Sequence, residues 1–275
     1  MKNLFHSLER AAMPADQAED TEKPKINILD IGSAPISKPP YFELLKSEEA
    51  RIIGFEPNLE QFKKLILEAG PDEEYFNSAV GDGSNSLYRL YQSSGYNSIF
   101  APCDSTAKLL GWTDRFKIKE TQLIETQKLD LIHDLPRVDL LKIDIQGGEL
   151  AVFQNGRRTL RSCSCIITEV NFLQLYEGGA PSFDRIHQEL TSQGFILHKF
   201  LFTKSVSIKN SNSSLIKDKS QLVDGDAVYV KDFREGAEIS KWNLQCISRI
   251  ADVVLDSPDL AQYCLDKLAE TSKSI

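Results

Sequence analysis

Asp139–Leu150 reads DLLKIDIQGGEL, and the placement of this stretch decides the fold. Val138–Ile143 (VDLLKI) carries the apolar residues of a strand buried on both faces of a sheet. The same stretch also holds Lys142, Asp144, Gln146, Gly147, Gly148 and Glu149. A core strand can end in ionisable chemistry if its end is the edge where ligands bind.

Working outward, strand-like runs alternate with helical patterns. Ile26–Asp30, Arg51–Glu56 and Tyr75–Val80 read as strands, with a short helix over 41–47 and a longer one over 58–69 between them. Gly81-Asp82-Gly83 reads as the turn into a hairpin through Leu87–Tyr91. Residues 92–136 are less regular: loops over the sheet, a short helix near Thr106–Leu110 and a strand near Phe116–Leu123. Strands at 138–145 and 165–170, helices at 149–155 and 183–193, and strands at 195–200 and 227–231 follow. This alternation predicts an α/β fold with a doubly wound, mostly parallel sheet. No helix separates the last two strands, so they are expected to pair antiparallel. Such sheets bind ligands beyond the carboxyl ends of their strands, where the polar end of DLLKIDIQGGEL would lie. Residues 1–24 are expected to be a helix and acidic linker, 25–235 the main domain and 236–275 a helical extension.

The composition is that of a globular chain: 275 residues, 41% hydrophobic, 26% charged, net charge −8. That balance argues against a broad nucleic-acid face. MKNLFHSLERAAM lacks the apolar region of a signal peptide and no run is long enough to span a membrane, so a cytoplasmic location is expected. Cys103, Cys163, Cys165, Cys246 and Cys264 show no metal-ligand spacing and read as buried free thiols. No dedicated metal site is expected.

Asp30-Ile31-Gly32-Ser33-Ala34 follows the first strand, and small residues there let a ligand approach the backbone. Glu56 closes the second strand 26 positions later, where a carboxylate can accept both hydroxyls of a ribose. Pro57 follows it. Ala79-Val80-Gly81-Asp82 ends the third strand; Asp82 either bonds an adenine amino group or serves its own turn. The set fits NAD or S-adenosylmethionine, and the missing third glycine and the terminal strand pair favour the latter.

The ordered motifs ILDIGSA (28–34), GFEPN (54–58), SAVGD (78–82), LDLI (129–132), DLLKIDIQGGELAVFQNG (139–156), ITEV (167–170) and FDRIHQELTSQGFIL (183–197) resemble the FkbM family of S-adenosylmethionine-dependent methyltransferases. The resemblance implies a seven-stranded, Rossmann-like class I methyltransferase fold and O-methylation of a hydroxyl on a sugar, glycan or polyketide-type molecule. Two departures stand out. Gln146 occupies a position where the family often has Glu, and Ala34-Pro35 replace a common Asn and later Gly.

For such chemistry the cofactor candidates are Asp30, Gly32, Ser33, Ala34, Glu56, Pro57, Ala79, Val80, Gly81 and Asp82. Asp144 and Glu169 are the general-base candidates. Lys142 shares a strand face with Asp144 and either positions an acceptor oxygen or pairs with an acid. Ser98, Gln146 and Gly147 are candidates for the acceptor side, with Tyr96 and Asn97 nearby. Glu149 is expected at a helix start, and His133 and His198 read as structural. The competing readings are a nicotinamide-dependent oxidoreductase and a non-catalytic S-adenosylmethionine-binding module. The appended helices either form a dimer surface or cover the domain's own core.

Overall fold

The computed structural model describes residues 25–210, 218–234, 236–237 and 239–273; the expected N-terminal helix over 1–24 lies outside them. Strand β1 (Ile26–Ile31) is buried at every position, as its unbroken apolar run requires when helices cover both faces. It is followed by α1 (Phe42–Lys46), β2 (Ala50–Phe55), α2 (Leu59–Glu68) and β3 (Glu73–Phe76). Asn58 caps α2, its side-chain oxygen accepting from the Gln61 amide. Next come β4 (Ala79–Gly81), β5 (Asn85–Tyr91), α3 (Asp104–Leu110) and β6 (Ile118–Lys128). The second half runs β7 (Leu140–Ile143), α4 (Glu149–Gln154), α5 (Arg157–Leu160), β8 (Cys165–Asn171), α6 (Phe183–Ser192), β9 (Phe195–Val206), β10 (Gln221–Lys231), α7 (Lys241–Val253) and α8 (Pro258–Lys273).

Seven strands form one sheet in the order β3-β2-β1-β7-β8-β10-β9. Pairing is parallel from β3 through β8, and β10 is antiparallel to both β8 and β9. This is the doubly wound sheet with a closing antiparallel strand pair of class I methyltransferases. One face is covered by α1, α7 and α8, where Leu44, Ile247, Ile250 and Cys264 meet Ile28, Leu140 and Val228. The other packs Val152, Leu160, Ile186 and Leu190 against Leu29, Leu141 and Ile166.

α7 and α8 thus pack apolar residues onto the chain's own sheet, while Tyr263 and Leu265 of α8 stay exposed. Trp242 reinforces the seam, donating to Asp139 Oδ1 at 2.6 Å with the Arg137 guanidinium over its ring.

Two sequence expectations change. The single strand expected over 75–80 divides: β3 stays in the large sheet while β4 leaves it. Asn77 causes the bend, its side-chain amide donating to the Glu56 and Pro57 carbonyls. The hairpin expected from Gly81 to Tyr91 is also absent. β4 pairs parallel and β5 antiparallel with β6, giving a separate three-stranded sheet. With α3 it builds a third small core of Tyr91, Tyr96, Trp112, Phe116 and Tyr176 above the strand ends. Among the described residues, no helix is long and apolar enough to cross a membrane.

Candidate active site

Strand register arranges the chemistry in rows on the face that carries α7 and α8. Ile28, Leu140, Cys165 and Val230 form one cross-strand row. Two residues further along, Asp30, Lys142, Ile167 and Val228 form the next, and beyond it Glu169 lies opposite Asp226. The face therefore turns from apolar to ionisable at the carboxyl ends of the strands. A cleft of about 950 Å³ opens there, lined by both the β1–β2 turns and this polar row. Its size is at the top of the range of about 300–1,000 Å³ for ligand pockets.

The half of the cleft at β1 and β2 is built largely from backbone. Gly32 has φ 84°, and a Cβ there would lie 2.1 Å from the Asp144 carbonyl oxygen, so only glycine admits this close approach. Asp30 is buried beside it. The Tyr41 hydroxyl donates to its Oδ2, and Lys142 Nζ lies 3.4 Å from its Oδ1 while donating to the Gly32 carbonyl at 3.2 Å. Burial pulls the Lys142 pKa down, but Asp30 and Asp144 outweigh it and the ammonium is retained. Glu56 ends β2 only 3% exposed and accepts the Asn58 amide at 2.7 Å. Burial raises it to about 7, leaving a carboxyl with spare acceptor capacity facing the cleft.

The opposite half is assembled from β7, β8, β9, β10 and the small third core. Gln146 Nε2 donates to Asp144 Oδ1 at 2.8 Å and to Glu169 Oε2 at 2.6 Å. Tyr176 donates to Gln146 Oε1 at 2.6 Å. Burial, and then the charges of Asp144, Glu149 and Asp224, push Glu169 well above the carboxylate range. Burial and Asp144 raise Asp226 to about 6. Lys204 donates to Tyr96 Oη and Asp224 Oδ2, both at 3.0 Å.

Asp144, Glu149 and Glu169 present oxygens within 4.8 Å of one another, a spacing that suits a cation. The groups that bond them are nonetheless N–H donors of the chain. Gln146 serves two of them, and Glu149 accepts from the Ile145 and Gly147 amides.

Most residues singled out in the sequence line this one cleft: Asp30, Gly32, Ser33, Ala34, Glu56, Pro57, Ala79, Val80, Gly81, Asp82, Lys142, Asp144, Gln146 and Glu169. Several are used differently from expectation. Lys142 serves Asp30 and the glycine turn, and no hydrogen bond joins it to Asp144 or Glu169. Asp82 is exposed and accepts from the Ser84 amide and hydroxyl, a turn-closing pattern. Ser98 is fully buried, and its hydroxyl donates to the Gln146 carbonyl at 2.6 Å, behind the cleft wall. Gly147 supplies its amide to Glu149. His198 bonds Ser257 at 2.9 Å, away from the cleft.

Sequence reading missed Tyr41, Tyr176, Lys204, Asp224 and Asp226. The two aspartates carried a usable signal, since Asp224 and Asp226 sit two apart in an otherwise apolar strand, as Lys142 and Asp144 do. Tyr41, Tyr176 and Lys204 had none.

The methyltransferase FkbM domain family matches residues 30–197, more than half of the chain. The 2-O-methyltransferase NoeI of Sinorhizobium fredii (strain NBRC 101917 / NGR234) is 28% identical over 178 residues, covering 58% of this chain and 69% of that protein. Among solved structures, the precorrin-6y C5,15-methyltransferase of Geobacter metallireducens GS-15 is 15% identical, covering 76% of this chain and 82% of that one with a TM-score of 0.39. A putative S-adenosylmethionine dependent methyltransferase of Listeria monocytogenes is 8% identical, covering 76% and 91%, with a TM-score of 0.40. The family match sets aside the nicotinamide-oxidoreductase reading. It runs from the glycine turn through the Asp144 and Glu169 strand ends to β9, and the chain belongs to the methyltransferase FkbM domain family.

Proposed function

We propose that the chain transfers the methyl group of S-adenosylmethionine to a hydroxyl oxygen of a sugar, glycan or polyketide-type small molecule. The observation that carries this reading is the convergence of Asp144 and Glu169, from neighbouring strands, beside the Gly32 turn in a cleft with room for two ligands. The similarity to NoeI, a 2-O-methyltransferase, supports an oxygen acceptor.

The residues fit the cofactor. The Gly32–Ser33 turn, its two amides bonded to the Phe55 carbonyl, lines the cleft, and Glu56 offers a buried acceptor for a ribose diol. Asp30, braced by Tyr41 and Lys142, keeps the turn in place. When bound there, S-adenosylmethionine would supply a methyl on a cationic sulfur, with S-adenosylhomocysteine as the neutral thioether leaving group. The protein's part is to align the acceptor oxygen with that carbon and to exclude water. Alignment of this kind lowers a barrier by about 7–11 kcal/mol.

The acceptor hydroxyl gives its proton to the Asp144 carboxylate as the oxygen–carbon bond forms, a contribution of about 10²–10⁴-fold. Burial and the neighbouring acids favour the protonated form of Glu169, which limits the negative charge facing the acceptor and lets it donate a hydrogen bond to the acceptor oxygen.

The test is a labelled methyl-donor screen of hydroxylated sugars, glycans and aglycones, with the methylated atom located by mass spectrometry and NMR. A methyl group found on nitrogen or carbon would sink the O-methyl reading. With the acceptor in hand, Asp144→Asn is expected to lose about 10²–10⁴-fold in turnover and to keep S-adenosylhomocysteine binding.

A further inference from the structure

We propose that Gln146 is a positioning residue of the methyl-transfer site: gripped by the Tyr176 hydroxyl, its amide ties Asp144 to Glu169 and holds the two carboxyls together at the cleft. The proposal deepens the reading of Asp144 as proton acceptor and rests on it.

The backbone argues that this side chain is kept for a purpose. Gln146 has φ 58°, a left-handed conformation in which a side chain costs about 1–2 kcal/mol. It opens the turn Gln146-Gly147-Gly148, where a third glycine would be free of that cost. The strained backbone is fixed by the Ser98 hydroxyl, which donates to the Gln146 carbonyl. Strain held in place by neighbours at a ligand cleft marks a functional position.

The orientation of the amide follows from its partners. One NH₂ group supplies both carboxyl bonds, while the carbonyl accepts the Tyr176 proton. Flipped, the amide would set its oxygen against two carboxyls and lose both bonds. Tyr176 therefore decides which end of Gln146 faces the acids. Its hydroxyl also reaches the Tyr96 carbonyl, but at 3.1 Å against 2.6 Å to Gln146.

The surroundings make that choice matter. The pair is faced by Glu149 from α4, by Asp224 and Asp226 from β10, by Asp30 from β1 and by the Tyr176 phenol. Against these stand Lys142, paired with Asp30 and also acting on Asp144 through its charge, and Lys204, paired with Asp224. The Gln146 amide is the side-chain donor that the two carboxyls share. A donor that serves both at once holds them together and favours the ionised form of Glu169 against its burial.

The test needs no acceptor. The full chain is labelled with ¹³C at its aspartate and glutamate carboxyl carbons, saturated with S-adenosylhomocysteine and titrated by NMR. Glu169→Gln assigns the Glu169 signal. Wild type is expected to show this carboxyl titrating above the ordinary glutamate range. In Gln146→Leu its step moves up further, by about one pH unit, because the carboxylate loses a donor. In Tyr176→Phe it moves the same way by less. A step that stays in place in both folded variants overturns the proposal, since a merely structural role lowers the melting temperature without moving a titration. A shift in Gln146→Leu with none in Tyr176→Phe overturns the grip assigned to the tyrosine, and if Gln146→Leu does not fold, Tyr176→Phe alone decides. Methylation of a nitrogen or carbon in the acceptor screen would defeat the O-methyl reading and leave this titration result standing on its own.

Discussion

The two halves of the cleft solve different problems. The half at β1 and β2 draws on residues 30–34, 41 and 55–57, a short turn with a buried carboxyl at Glu56. The half at β7–β10 gathers side chains from positions 96 to 226, among them the hydrogen-bonded groups Asp144, Gln146 and Glu169, and Tyr96 with Lys204. A cofactor shared by many enzymes can be held by a short local turn. An acceptor must be met by groups that only the completed sheet brings together.

The sharpest way to break this division is Gly32→Val, because Gly32 belongs to both halves. Its missing Cβ lets the Asp144 carbonyl approach, and its φ is positive. The variant is expected to lose S-adenosylhomocysteine binding in calorimetry and to unfold at lower urea. Retained binding would show that the two strand ends can separate without loss of the pocket.

Glu149→Ala probes the acceptor half alone. It leaves the Ile145 and Gly147 amides without their acceptor, at a cost of about 1–3 kcal/mol for each buried group, read from urea unfolding at pH 6. Burial raises Glu149 to about 7, so the folded chain holds this proton more tightly than the unfolded one. Its contribution to stability is full below about pH 4.5 and is lost as pH climbs through 7. The variant should flatten that part of the pH dependence.

Glu56 probes the cofactor half alone. Free, it titrates near 7, and a ribose diol binds the carboxylate form. S-adenosylhomocysteine affinity should therefore fall by up to about tenfold for each pH unit below 7, with proton release on binding near neutrality. Glu56→Gln should abolish this slope; an unchanged slope would remove Glu56 from the ribose.

The smallest effect is expected at Asp82, whose carboxylate closes its own turn onto Ser84. Asp82→Ala should weaken S-adenosylhomocysteine by no more than about fivefold, the scale of one exposed hydrogen bond. A loss of a hundredfold would return Asp82 to the adenine.

Much of this was legible beforehand because the signals were local. The apolar runs at 26–31, 50–55, 140–143 and 165–171 and their spacing called for a parallel sheet, and the glycine turn and Glu56 stood at predictable strand ends. The Tyr75–Val80 run misled because β-propensity does not say which sheet a strand joins. Asn77 bends the chain there through two long-range bonds. Tyr176 and Lys204 were illegible for a similar reason: an aromatic and a lysine in irregular or edge segments look the same whether they meet solvent or a polar partner 20 or 30 residues away.

By itself, then, the sequence determined the sheet, its carboxyl edge, the glycine turn and the two acids at neighbouring strand ends, since periodicity and turn chemistry are properties of short segments. Only the tertiary structure decided that Lys142 serves Asp30, that Ser98 stands behind the wall, and that Gln146 joins Asp144 to Glu169 under the hand of Tyr176. Those choices depend on distance and burial between residues far apart in the chain, and DLLKIDIQGGEL acquires its chemistry from partners that its own twelve residues do not contain.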